Sequence, residues 1–327
     1  MPIKPINPST VVRPYTTESE WLSYRAGDIT STESAALFGQ SPYVTAFELF
    51  HRKRGTLESS FSSNERVVWG SRLESAIAHG IAEDQGWAIE PLKSYWHIPS
   101  ERIGSSFDFV ITNLPDGPAL LEIKNVDSLA YRDGWVLGDD ETEAEAPVQI
   151  EFQVQHQLLV SGFKRAFIGA LVGGNRVVIL PRERDETVIT AIRQRVAKFW
   201  TDVTENREPP AIFPGDTSAV LRLHNHAEPG TVLNATTDEY TEVQQLAAEY
   251  HAAAVAEKLA KEDKDTAKAK LLTLIGDHEK VLLPGGSISA GVVADSAGTL
   301  VTSEMVGTYV GGRSGYRNCR FYPKKEK

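Results

Sequence analysis

Hydrophobic and polar positions change period several times along the chain, and each change predicts an element. Residues 1–14 carry four prolines and no period, which reads as an extended arm. Thr17-Glu18-Ser19-Glu20 then offers capping residues ahead of Trp21, Leu22 and Tyr24, predicting a helix. Ile29 to Gly39 follows as a short capped helix stopped by glycine. Within 64–86, Val67, Leu73, Ile77 and Ile81 recur at helical spacing, and Gly86 ends the run. Strands are expected from Tyr95 to Ile98, Ile103 to Thr112 and Ala119 to Asn125, with the turn residues Asn113 to Gly117 between the last two. A helix over 147–162, strands from Ala166 to Gly173 and Val177 to Leu180, and a helix over 185–204 complete a mixed α/β unit that ends near Pro209-Pro210.

From about residue 236 the pattern shifts. Residues 236–275 are rich in Ala, Glu, Lys and Leu, with Tyr240, Val243, Leu246, Ala247, Tyr250 and Leu271 at helical spacing. Glycine-punctuated β runs follow from Ser287 to Val293, Thr299 to Glu304 and Tyr316 to Tyr322. The expected organisation is an α/β domain over 1–215 and an accessory region over 230–327. The latter should be a helical hairpin or coiled segment with a small β-element, suited to self-association.

Composition narrows the function classes. The single cysteine, Cys319, excludes an intrachain disulfide and any four-cysteine metal or iron–sulfur site. No apolar run is long enough to cross a bilayer, and the first residues lack the layout of a secretion signal, so a cytoplasmic protein without a membrane partner is expected. The net charge of −10 argues against indiscriminate coating of nucleic acid. Clustered carboxylates that hold cations would add to that negative count, so charge alone leaves DNA open as a substrate.

Candidate chemistry concentrates where Asp108 precedes a hairpin whose second strand carries Glu122-Ile123-Lys124. Alternation puts Glu122 and Lys124 on one face, and the short turn sets Asp108 beside them. Phosphodiester hydrolysis uses such a set: carboxylates for a hard divalent metal, and an ammonium for the developing charge. A surface hairpin with a salt bridge has the same pattern. Arg25 with Ser31 and Thr32 at a helix start suits a phosphate, or the hydroxyls are simple caps. His51 to Arg54 is a basic patch that either meets a duplex backbone or faces solvent.

Taken in order, these motifs resemble the lambda exonuclease and YqaJ recombinase family. They are Arg25 to Thr32, Ser41-Pro42-Tyr43, Gly70 to Glu74, Asp108, Glu122 to Lys124 and Gln153 to Gln155, spread over roughly residues 18–205. The chain has Ser106-Phe107-Asp108 where that family usually has a proline before the acid. The resemblance implies a restriction-endonuclease-like PD-(D/E)XK nuclease core, a mixed central sheet flanked by helices, with a C-terminal helical and small β extension. It implies a metal-dependent exonuclease running 5′→3′ on linear duplex DNA in phage-type recombination by single-strand annealing. Another nuclease of the same core, or an idle DNA-binding or phage structural protein, is the alternative. Magnesium, or manganese in its place, would be held by Asp108, Glu122 and the Ile123 carbonyl, with Glu74 through water or at a second metal. Lys124 would be the catalytic lysine, Gln153 or Gln155 would orient the site, and Arg25 with Ser31 or Thr32 would hold a 5′-phosphate. Implied partners are double-stranded DNA ends, a single-strand annealing protein and further copies of the chain, in the cytoplasm of a bacterial host.

Overall fold

Thr17 begins helix α1 (Glu18–Ala26) with a full capping box: its hydroxyl accepts from the Glu20 N–H, and the Glu20 carboxylate accepts from the Thr17 N–H. In this computed structural model, which describes residues 3–58, 65–136, 145–284 and 286–292, two sheets build the N-terminal part. A four-stranded sheet runs β1 (Val11–Pro14), β4 (Ser94–Ile98), β5 (Ile103–Ser105) and β2 (Ile29–Thr30). A five-stranded sheet runs β3 (Ile89–Pro91), β6 (Phe109–Ile111), β7 (Ala119–Val126), β8 (Arg165–Val172) and β9 (Arg176–Glu183). Its pairings are antiparallel except for β7 with β8, whose parallel pairing is reached across helix α5 (Val148–Ser161).

Helices cover both faces of this larger sheet. Helix α3 (Glu65–Gln85) lays Ile77, Ala78 and Ile81 on Phe109, Leu121 and Ile123. Gly169 of β8 lets that helix approach, since a Cβ there would sit 2.6 Å from Ile81 Cδ1. On the other face, Val154 and Leu158 of α5 join Leu120, Ile168 and Ala170 in the main core. Helix α6 (Glu186–Thr204) adds Ile189, Ile192, Val196 and Phe199, spaced three and four apart. Along the chain α3 is followed by β3 to β7, helix α4 (Ser128–Gly134) and α5, then β8 and β9, a mixed α/β fold with helices on both faces of the larger sheet. Along β7, Leu121 and Ile123 belong to the α3 side, and Leu120 to the α5 side, with Glu122 and Lys124 following the parity of Leu120. The N-terminal arm closes α5: the Ile6 N–H donates to Ser161 O, and Asn7 Nδ2 donates to Leu159 O.

Three expectations need correction. The run from Ile103 to Thr112 is not one strand; it breaks at Ser106–Asp108, so β5 and β6 belong to different sheets. Buried Phe107 packs against Trp96 at the break, and the Ser106 carbonyl accepts from the Gln157 amide, which takes both residues out of any ladder. The segment from Ile29 to Gly39 is the short strand β2 followed by a 3-10 helix over Ser34–Phe38, so Ser31 and Thr32 precede that helix and do not start an α-helix. In the C-terminal unit, where a helical hairpin or a coiled segment is expected, residues 241–275 form no hairpin but a single 35-residue helix, α8 (Thr241–Ile275). No glycine or proline interrupts residues 241–275.

The chain divides into two compact units, residues 1–223 and 224–327. The second contains α8 and the hairpin β10 (Lys280–Leu283) with β11 (Gly286–Ser289). The runs from Thr299 to Glu304 and Tyr316 to Tyr322, with Cys319, lie outside the described residues, as does most of the acidic stretch from Asp139 to Glu145. Among the described residues, no helix is long and apolar enough to cross a membrane.

Candidate active site

The break after β5 is what delivers Asp108 to β7. Its Oδ2 accepts from the Ile123 N–H at 2.8 Å, where β6 has stopped pairing with β7. A strand residue's N–H and C=O leave on the same edge, so the Ile123 carbonyl shares the Asp108 side. Buried Glu122 receives three donors: Lys124 Nζ and Gln153 Nε2 on Oε1, each at 2.6 Å, and Gln157 Nε2 on Oε2 at 2.7 Å. Gln153 Oε1 also accepts from Lys124 Nζ at 3.1 Å. The hairpin geometry read from the sequence thus brings Asp108, Glu122 and Lys124 together, and α5 adds an amide lining.

Only one of the two glutamines expected at the site reaches it. Gln155 points elsewhere: its amide donates to Glu183 O, and its oxygen accepts from the Asp185 N–H, tying α5 to the start of α6. Gln157 takes the second place beside Glu122. On a helix, residues 153 and 157 share a face and 155 does not. That spacing was present in the sequence and pointed to Gln157.

Charge crowding marks the cluster. Burial, then the Glu122 and Glu74 charges, push the Asp108 carboxyl well above the usual carboxylate range, against Lys124 and the Ile123 N–H. Glu74, half-buried on α3, is raised by burial and by Glu122. Burial opposes charge on Lys124, yet Glu122 and Asp108 hold its ammonium above the ordinary lysine value. Lys124 is therefore a cationic donor, not a base.

The donor set fits a hard divalent cation. Glu122 has about four acceptor positions and uses three. Among the described residues, the Asp108 hydrogen bond runs through Oδ2, so Oδ1 is available. Among the described residues no group of three or more His, Cys, Asp or Glu side chains is arranged to hold a metal, so a cation here would also draw on main-chain oxygen such as the Ile123 carbonyl. Magnesium, which keeps several waters and takes one or two carboxylates, suits such a sparse set.

A cleft of about 710 Å³ opens beside Lys124, lined among others by Ser41, Pro42, Tyr43 and Trp135. Tyr43 is exposed on its rim. Arg25 lies over the Trp21 ring at 4.5 Å and donates through Nη2 to Thr32 Oγ1 at 3.3 Å and Thr30 Oγ1 at 3.5 Å. The half-buried Tyr15 hydroxyl is raised by burial, with Arg25 lowering it and Glu74 raising it. Ser31 is buried and accepts from Ser105 Oγ at 3.0 Å; Thr30 takes the place expected for it beside Arg25. The basic patch is already committed: His51 faces Thr56 and Glu208, Arg52 pairs with Glu48, and Lys53 pairs with Glu33. His156 is fully buried against the Gly104 carbonyl, and burial lowers it to about 4, so it packs as a neutral ring.

Residues 20–164 match the YqaJ-like viral recombinase domain. The uncharacterized protein YqaJ of Bacillus subtilis (strain 168) is 27% identical over 215 residues, 64% of this chain and 63% of that protein, so the match spans less than two thirds of the relative. An alkaline exonuclease from Laribacter hongkongensis is 17% identical at a TM-score of 0.46, over 57% of this chain and 93% of that one. A phage-related exonuclease from Haemophilus somnus 129PT is 13% identical at a TM-score of 0.37, over 55% and 96%. Likeness at that level leaves activity to be read from the residues. The likeness to the YqaJ-like viral recombinase family therefore rests on residues 20–164, the stretch that carries the acidic cluster and its glutamines.

Proposed function

We propose that the chain is a magnesium-dependent exonuclease that removes nucleotides from the 5′ ends of linear duplex DNA and works beside a single-strand annealing protein in recombination. The observation that carries the reading is the convergence of Asp108, Glu122 and Lys124 under the amides of Gln153 and Gln157. The family match and the exonuclease names of the structural neighbours support it.

Asp108, Glu122 and the Ile123 carbonyl would hold the cation, with Glu74 acting on the same charge cluster. When bound, magnesium supplies Lewis acidity at the phosphoryl group and an acidified water. The chain supplies orientation. Gln153 and Gln157 fix Glu122, and Glu122 with Gln153 fixes Lys124. The Lys124 ammonium has three N–H donors and spends two, leaving one for the negative charge that develops on the phosphate. Arg25 and Thr32 would provide the donors for a terminal 5′-phosphate and so orient the end of the duplex.

Covalently closed circular duplex and the same DNA linearised separate this activity from an endonuclease's. The exonuclease releases nucleotides from the linear form and leaves the circle intact in magnesium. Nicking or linearisation of the circle at a comparable rate contradicts the proposal.

A further inference from the structure

The buried ion pair behind Arg25 plays no part in the chemistry above. Lys53, near the end of helix α2 (Ala46–Arg54), has a side chain only 5% exposed. Its Nζ meets Glu33 Oε2 at 2.9 Å and donates to the main-chain carbonyl of Arg25 at 3.0 Å. That carbonyl lies at the C-terminal end of α1, where a cation satisfies the helix dipole. The same Glu33 oxygen accepts from the Thr30 N–H and the Thr30 hydroxyl, both at 2.9 Å. One ammonium therefore fixes both sides of the Arg25 pocket, the helix end that carries the guanidinium and the strand end that carries the threonines.

The hydroxyl protons follow from this. A carboxylate only accepts, so the single Thr30 hydrogen is spent on Glu33. Thr30 Oγ1 can then only accept, from Arg25 and from Thr32 at 3.3 Å. Thr30 is fully buried and Thr32 exposed, so the Thr32 hydroxyl is the one that can exchange its bond to Thr30 for an acceptor outside. Charge points the same way. Burial works to raise the Glu33 carboxyl, but Lys53 and then Arg25 hold it below the usual range, and without Lys53 its charge would be set against Arg25 alone.

We propose that Lys53 and Glu33 are positioning residues for the recognition of a terminal phosphate, aligning Arg25 and the Thr32 hydroxyl toward the anion and cancelling the Glu33 charge behind them. This rests on the proposed reading of Arg25 as the 5′-phosphate contact. It assigns selectivity for a phosphorylated over a hydroxyl end to a pair that touches neither end.

The test measures kcat/KM on linear duplexes with 5′-phosphate and 5′-hydroxyl ends for the wild type, Arg25→Ala, Lys53→Met, Lys53→Arg and the double variant Glu33→Gln/Lys53→Met. Lys53→Met should lower the phosphate-to-hydroxyl ratio on the order of tenfold, the scale of a lost contact to a charged group. Lys53→Arg should restore most of the ratio. The double variant, which carries no unpaired buried charge, should recover part of it and keeps the test open if Lys53→Met does not fold. Equal loss on both ends in the Lys53 variants, with Arg25→Ala still abolishing the preference, overturns the positioning role while leaving the Arg25 reading intact. A wild type with no preference overturns the Arg25 reading, and this inference with it.

Discussion

Asp108 sits where folding stability and metal binding make opposite demands. Burial and the charges of Glu122 and Glu74 raise its carboxyl, so the folded chain holds a proton at pH values where the unfolded chain has lost it. Its contribution to stability is therefore greatest below the ordinary carboxylate pKa and is lost as pH rises from about 4 toward the raised folded value. Asparagine cannot titrate, yet its oxygen can still accept from the Ile123 N–H. In the presence of a chelator, Asp108→Asn should melt higher than the wild type at about pH 8, with the gap shrinking toward about pH 5. Melting curves at several pH values check this; a gap that does not change with pH contradicts the charge crowding. Such a cost is expected of a site built to receive a cation.

Elements show how much of this was legible in the sequence. Thr17 and Glu20 announced α1, glycines marked the ends of α3 and α5, and alternation set Glu122 and Lys124 on one face. The strand break at Ser106–Asp108 was not legible, because apolar Phe107 continues the alternation while its burial against Trp96 is a tertiary event. Gln157 was legible by its spacing from Gln153 and was passed over for the nearer Gln155. The helical spacing over 241–275 leaves a hairpin or a coiled segment open, and the absence of any glycine or proline there favours the unbroken α8. Among the described residues α8 buries no side chain and exposes Val243, Leu246, Leu259 and Leu274. A chain ending at Leu223, the limit of the first compact unit, should stay folded and hydrolyse linear DNA, but sediment as a smaller assembly than the full chain. Insoluble protein, or an unchanged assembly, would show that the C-terminal unit does not serve self-association.

The whole molecule joins a net charge of −10 to a proposed DNA substrate. The conflict eases locally: Lys124 stands at the cluster, and a divalent cation would offset Asp108, Glu122 and Glu74. Binding should thus depend on the metal more than on the protein's overall field. The Ser31 and Thr32 pair shows the limit of reading a pocket from a motif. Both hydroxyls lie beside Arg25 in sequence, but β2 turns Ser31 inward to Ser105 and leaves Thr32 outside. The most direct measurement of the central claim is nucleotide release from linear, 5′-phosphorylated duplex by wild type, Glu122→Ala and Lys124→Ala, with magnesium and with chelator. The wild type should release nucleotides only with magnesium, and each variant, still folded by circular dichroism, should be slower by at least about a hundredfold. Wild-type release in chelator, or a folded Lys124→Ala that keeps full activity in saturating magnesium, would contradict it.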